Sequence, residues 1–257
     1  MRSPWGNGTS GNSGISISPT GIVQSQNGDI ALTGTGKGTV DNNRGIVTAG
    51  VVESKGTGNV TLSGVGGNGN DGNQGISVGA GKVSAFSGNV SLTGTGGGTG
   101  IVNEGIYVDS GATIQSAGLG KVTLTGTGSA GTAINSGIWF NEGTVKSQNG
   151  DIALTGTGVG TSTSNDGIHF PAAPLVTVQA TGTGNISLTG KANNNSIPIN
   201  LIGGVIDAAL GGSVTLTGDE IQLSAPTQVK GTGTSTITLQ PLTPSLGITI
   251  GGKLFDI

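Results

Sequence analysis

The stretch GDIALTGTG occupies residues 28–36 and returns letter for letter at residues 150–158. Close variants stand at 58–66 (GNVTLSGVG), 88–96 (GNVSLTGTG), 120–128 (GKVTLTGTG), 184–190 (GNISLTG) and 212–218 (GSVTLTG). The first apolar residue of each copy forms a series: Ile30, Val60, Val90, Val122, Ile152, Ile186, Val214 and the weaker Ile237. Its steps are 30, 30, 32, 30, 34, 28 and 23 residues. A period of this size points to a solenoid, a propeller or another array.

Two further landmarks keep the same period. Sixteen residues after each of the first five anchors comes an isoleucine behind a glycine: Ile46, Ile76, Ile106, Ile138 and Ile168. Seven or eight residues before the anchors stand Val23, Val52, Val83, Ile114, Val145, Val178, Ile206 and Val229. Each repeat therefore carries three short strands, of three to five residues, separated by Gly/Asn/Thr turns. Such strands are too short to form independent hairpin domains. Paired in parallel with the equivalent strand of the next repeat, about 4.8 Å away, they form a triangular coil with apolar side chains inside. A propeller blade needs four strands and about 40 residues, so it is excluded. The expected fold is all-β: a right-handed parallel β-helix (β-solenoid) of about eight coils, a rod of roughly 40 Å. Glycine at the corners is expected to supply positive φ angles.

Length changes fall where a solenoid tolerates them. Pro171-Ala172-Ala173-Pro174 lengthens one corner in the longest step, and KANNNS (191–196) replaces the usual glycine-rich loop in a short one. The expected organisation is an N-terminal partial coil or cap over 1–29, a repeat region over 30–236 and a C-terminal coil or cap over 237–257. Residues 5–14 and 239–257 are the expected covers of the two ends. Open ends would expose unpaired backbone and invite end-to-end self-association.

Composition narrows the function classes. The 257 residues include 54 glycines, 9% charged and 3% aromatic residues, and no cysteine. Collagen is excluded by the lack of a three-residue glycine period. A net charge of −3 with scattered Lys and Arg leaves no basic stripe, so no nucleic-acid partner is expected. No apolar run approaches the length of a membrane span, and no signal-peptide core follows Met1, which reads as an artificial start or the start of an excised piece.

In a stack, the informative unit is the column. Leu32, Leu62, Leu92, Leu124, Leu154, Leu188, Leu216 and Leu239 form an unbroken inward file. Val78, Val108, Phe140 and Phe170 form another, in which the interior widens. Outward, Thr33, Ser63, Thr93, Thr125, Thr155, Thr189 and Thr217 run beside Ala31, Thr61, Ser91, Thr123, Ala153, Ser187 and Thr215. Flat threonine arrays can order ice, but small β-formers also suit an exposed ladder, and Thr-x-Thr occurs in two of these seven coils. The file Asp29, Asn59, Asn89, Lys121, Asp151, Asn185, Ser213 never sets two acids on successive coils, as stacking requires.

One outward column differs. Tyr107, Trp139 and His169 hold the same place on three successive coils, with Val47 and Ser77 before them and Pro198 expected beyond. Such rings could stack on a sugar or a partner surface, making them candidate ligand contacts, or they could cover a neighbouring corner. Catalytic residues are not expected. The acids Glu53, Glu104, Asp109, Glu142, Asp166 and Asp207 are spread, Arg44 and Glu104 sit two coils apart with Gln74 between, and His169 is the lone histidine. No metal set or cofactor is expected either. GGNGNDGN at 66–73 resembles a calcium-binding turn, but it occurs once, and Asn73 stands where an apolar residue belongs.

The unit G-[DN]-[IV]-x-L-[TS]-G-T-G, followed by N-x-G-I-x-[VF], resembles the repeats of large bacterial filamentous-haemagglutinin-like exoproteins. The tail TITLQPLTPSLGITIGG at 236–252 is similar to segments that end such repeat blocks. The resemblance implies a secreted or cell-surface adhesin rod, exported through an outer-membrane partner and facing a host or extracellular-matrix surface or glycan. It supplies no catalytic residue. The secretion-directing N-terminal cap of that family is not visible, so the chain reads as an internal or C-terminal piece. The expectation is a structural spacer or adhesive rod segment. The alternative is a glycan-binding module using the aromatic column, ahead of an ice-binding solenoid or a polysaccharide lyase.

Overall fold

A computed structural model describes residues 9–173, 175–250 and 253–254. The chain winds through three parallel sheets, visited in the same order on every coil. The first, here the Gly-Ile sheet, begins with Ile15–Ile17, Ile46–Thr48 and Ile76–Val78 and runs through Ile221–Leu223 to Thr249–Ile250. The second, the valine sheet, runs from Ile22–Ser25 through Val51–Ser54 to Gln228–Gly231. The third, the leucine sheet, runs from Ile30–Thr35 through Val60–Val65 to Ile237–Gln240. A single antiparallel strand, Lys253–Leu254, borders the Gly-Ile sheet. The fold is a parallel β-solenoid of about seven turns with three strands per coil, close to the eight expected.

The register places the periodic residues on top of one another. Leu32, Leu62, Leu92, Leu124, Leu154, Leu188, Leu216 and Leu239 pair rung by rung. From Leu62 to Leu216 they are fully buried, while Leu32 and Leu239 at the two ends are half-buried. The valine file from Val23 to Val229 is equally continuous. The third file reads Thr48, Val78, Val108, Phe140 and Phe170, then Leu201 and Leu223. The two phenyl rings meet edge to face, with centroids 4.9 Å apart, and fill the widest part of the core.

Three features differ from the sequence expectation. First, the leucine strands from Ile30–Thr35 to Ile186–Lys191 are six residues long, not three to five. The extension adds a third outward file: Thr35, Val65, Thr95, Thr127, Thr157 and Lys191. Second, the repeated glycines mostly serve close approach. Gly34, Gly64, Gly94, Gly126 and Gly156 point inward without a positive φ; a Cβ on Gly126 would lie 2.1 Å from the Gly137 carbonyl oxygen. There the leucine strand presses against the start of the Gly-Ile strand, and only hydrogen fits.

Third, the left-handed corner recurs once per coil but is not reserved for glycine. Asn42, Gly72, Val102, Ile134, Ser164 and Asn195 all hold φ between 55° and 70°, a conformation especially unfavourable for the β-branched Val102 and Ile134. Each of these residues immediately precedes a rung of a polar ladder that replaces apolar packing at this corner: Asn12, Asn43, Asn73, Asn103, Asn135, Asn165 and Ser196, all buried. The Asn43 backbone N–H donates to Asn73 Oδ1 (3.0 Å), Asn73 to Asn103 (2.7 Å), Asn103 to Asn135 (3.0 Å) and Asn135 to Asn165 (2.9 Å). The series closes on Ser196 Oγ, which accepts from Asn165 N–H at 3.0 Å. The N-x-G-I motif is thereby explained. A coil that turns left-handed here frees a backbone donor from the sheets, and the asparagine of the next coil accepts it. Asn73 belongs to this ladder, and the glycine-rich 66–73 segment is the corner in front of it.

Candidate functional site

The leucine sheet shows a nearly uniform outer face of small polar residues, whereas the valine sheet carries the longer file Gln24, Glu53, Ser84, Gln115, Lys146, Gln179, Asp207 and Lys230. Lys82 Nζ lies 2.6 Å from Glu53 Oε1, and Lys121 Nζ lies 2.9 Å from Asp151 Oδ2. The hydrogen bonds and charge of the lysine hold each carboxylate below its ordinary range. The anchor-preceding file is closed by backbone-to-side-chain bonds: Asn59 N–H donates to Asp29 (2.7 Å), Asn89 to Asn59 (2.9 Å) and Lys121 to Asn89 (2.8 Å). On the leucine sheet, the second and third outward files read Thr-Gly-Thr on four coils, beginning at Thr33, Thr93, Thr125 and Thr155, interrupted by Val65 and Lys191.

The stacked aromatic rings and most of the buried polar side chains of the outer surface gather on the Gly-Ile sheet. One file, preceding the glycine, is Arg44, Gln74, Glu104, Ser136, Asp166 and Ile197, each coil stacked on the next by backbone bonds to the following glycine. Three residues along each strand lies the other: Val47, Ser77, Tyr107, Trp139, His169 and Asn200. The expectation of Pro198 beyond His169 is corrected, because Asn200 pairs with it. A lengthened corner after Phe170 and a shortened one after Lys191 nearly offset, and Pro198 takes the place usually held by the glycine.

Tyr107, Trp139 and His169 are brought into one column, as the sequence implied, but they are not a freely exposed ladder. Tyr107 and Trp139 are half-buried, and His169 is only 8% exposed. The Trp139 and His169 rings lie 3.8 Å apart and nearly parallel, at 17°. The rings spend one face on each other, so the column offers fewer free faces for a sugar than three separate rings would. His169 Nδ1 lies 2.9 Å from Asp166 Oδ2. The same oxygen accepts from Asn200 Nδ2 (2.8 Å), and Asp166 Oδ1 accepts from the Ile197 N–H (2.9 Å). The His–Asp arrangement is half of a triad, but Ser136, the hydroxyl one coil away, donates to the Ser164 carbonyl at 3.3 Å instead.

Glu104 was missed as a special residue. It is 1% exposed, and its Oε2 has no hydrogen-bond partner. Burial pushes its carboxyl up to about 7, against the partial opposition of its own backbone N–H, Gln74 and the Arg44 charge. Arg44 donates through Nε to Gln74 and through Nη2 to Asn42 at 3.3 Å, and its own pKa is lowered by burial. Burial and the neighbouring Asp109 carboxylate push the Tyr107 hydroxyl up to about 12. For Asp109, burial acts upward but is outweighed by hydrogen bonds from Asn141 and Ser110, and its pKa falls. The signal in the sequence was the N-x-G-I motif itself: its variable position is a covered column.

No family model matches the chain. No curated protein and no solved structure matches it either. Among the described residues, no group of three or more His, Asp or Glu side chains could hold a metal ion. No helix among the described residues is long and apolar enough to cross a membrane.

Proposed function

We propose that this chain is a rod segment of a secreted or cell-surface bacterial adhesin, a rigid spacer or adhesive rod that does no catalysis. The observation that carries this reading is the unbroken register of all three sheets. Each coil is a template for the next, and about seven turns at ~4.8 Å extend the molecule by ~34 Å along one axis. The repeat's likeness to filamentous-haemagglutinin-like exoproteins supports placing such a rod outside the cell, after passage through an outer-membrane partner. The enclosed carboxyls of Glu104 and Asp166, only 1–2% exposed, favour a structural role over hydrolysis or lyase chemistry on a polysaccharide.

Intact producing cells, probed with an antibody raised against this segment and shaved with external protease, test the reading. Labelling of intact cells and loss of the signal after shaving are expected. A segment that resists protease until the cells are lysed would overturn the surface location. Solution scattering tests the rod separately, since a spherical envelope contradicts it.

A further inference from the structure

We propose that the corner between the sixth and last coils is a binding cleft for a neutral pyranose glycan, about two sugar units long. The proposal rests on the adhesive reading above and gives it a ligand-contact site. An open cleft of ≈ 410 Å³ lies between Lys191, Asn193, Pro198, Glu220 and Leu242, within the ~300–1,000 Å³ range of small-molecule sites.

Three repeating devices of the outer surface and corner end here, while the inward files continue. Lys191 ends the third outward file of the leucine sheet, Ser196 ends the asparagine ladder, and Pro198 replaces the stacked glycine. The corner loop itself disappears one coil later, where only Gly218, Asp219 and Glu220 join Val214–Thr217 to Ile221–Leu223. The loop over 191–196 therefore overhangs a shelf on which, among the described residues, no equivalent corner loop stacks.

The chemistry of the shelf selects the ligand. Among the described residues, the Lys191 ammonium and the Glu220 carboxylate line the same cleft, both exposed, with no ion pair between them and no other side-chain partner. Asp219 is different, being occupied by Thr243 through the backbone N–H at 2.6 Å and the hydroxyl at 2.9 Å. An ammonium only donates and a carboxylate only accepts. A vicinal diol satisfies both at once, because each hydroxyl donates and accepts, and it adds no further negative charge to a cleft in which Asp219 and Glu220 already outnumber Lys191. Pro198 and Leu242 supply an apolar floor for the C–H face of a pyranose ring, and the Asn193 amide adds a donor and an acceptor at the rim.

The test is a glycan array followed by titration calorimetry on the intact protein, using neutral disaccharides, with uronic acids and free amino acids as controls. Binding of at least one neutral disaccharide is expected, weakened about ten-fold or more in Glu220→Gln and in Lys191→Met, the loss of one charge-assisted hydrogen bond. Both side chains are exposed, so thermal melts of these variants should match the parent and exclude misfolding. The cleft is overturned if no neutral glycan binds, if only charged ligands bind, or if both variants bind as tightly as the parent. Loss in Trp139→Ala with retention in Glu220→Gln would move the site to the aromatic column and also overturn the cleft. None of these outcomes bears on rod shape or surface exposure, which the protease and scattering experiments read independently.

Discussion

Glu104 makes the stability of this solenoid depend on pH in an unusual direction. Its carboxyl is closed off from solvent, one of its oxygens is unpartnered, and its pKa rises from 4.5 to about 7 on folding. A group with a raised folded pKa contributes stability that is complete below pH 4.5 and is lost as pH rises through about 7. At about 1.36 kcal/mol for each factor of ten in proton affinity, the loss reaches about 3 kcal/mol by pH 8. The surrounding charges do not cancel it: Arg44 stays protonated throughout this window, and Tyr107 titrates only near 12.

Chemical denaturation followed by far-ultraviolet circular dichroism, at pH 5 and pH 8, reads the effect. The parent protein should lose about 2.5 kcal/mol between the two conditions, since a little under 1 kcal/mol is already lost at pH 5, and Glu104→Gln, isosteric and uncharged, should lose little. At pH 8 the variant should therefore be the more stable protein. Glu53→Gln is the opposing control. Lys82 depresses the Glu53 pKa, so its contribution is present above pH 4.5 and lost only in acid. Parallel pH profiles for the parent and Glu104→Gln between pH 5 and 8 would refute the argument.

Other substitutions probe the stack itself. Asn103→Ala orphans the buried Asn73 N–H and should cost about 1–3 kcal/mol, whereas Asn89→Ala on the exposed outer file should cost under about 1 kcal/mol by the same denaturation assay. Val102→Asn keeps the corner but removes a β-branched side chain from φ 60°, and should raise stability by about 1 kcal/mol, visible as a higher thermal midpoint. Gly126→Ala forces a methyl to within 2.1 Å of the Gly137 carbonyl oxygen and should cost about 3 kcal/mol or more, with weakened amide protection in the strands on both sides.

Much of this architecture is legible in the letters because apolar files admit one reading. Leu62, Leu92 and Leu124 recur at the coil period, and nothing but a shared interior explains them, so strand number, parallel pairing and register follow. Polar and glycine files are ambiguous in the same letters. Asn73 reads as a corner residue on a polar surface. Its burial depends on the left-handed residue ahead of it and on the Asn43 N–H that its side chain accepts. Gly126 reads as a flexible bend, yet its role is a distance to another segment. Glu104 and His169 read as outward positions by strand alternation, and outward they are. Their enclosure comes from side chains on other coils, Gln74 one coil and Arg44 two coils from Glu104, and Trp139 and Asn200 on either side of His169, which the alternation of a single strand does not encode.

The repetition of nine letters follows from how a stack stores its stability. Each residue faces an equivalent above and another below, so a change must suit two neighbours at once, and the energy resides in the interfaces between coils. That constraint is strongest in the middle of the rod, where Asn103 serves Asn73 below and relies on Asn135 above. It relaxes where a ladder ends. Lys191, Ser196, Pro198 and Glu220 all fall at such a terminus, and a substitution there disturbs one interface instead of two. A solenoid can thus place unpaired charge and an open cleft at the corner where its ladders stop while the coils behind it keep their register. The outer column of the Gly-Ile sheet follows the opposite course: it admits varied side chains in mid-stack only by letting them cover and bond one another, as Asp166 does with His169, Asn200 and the Ile197 N–H.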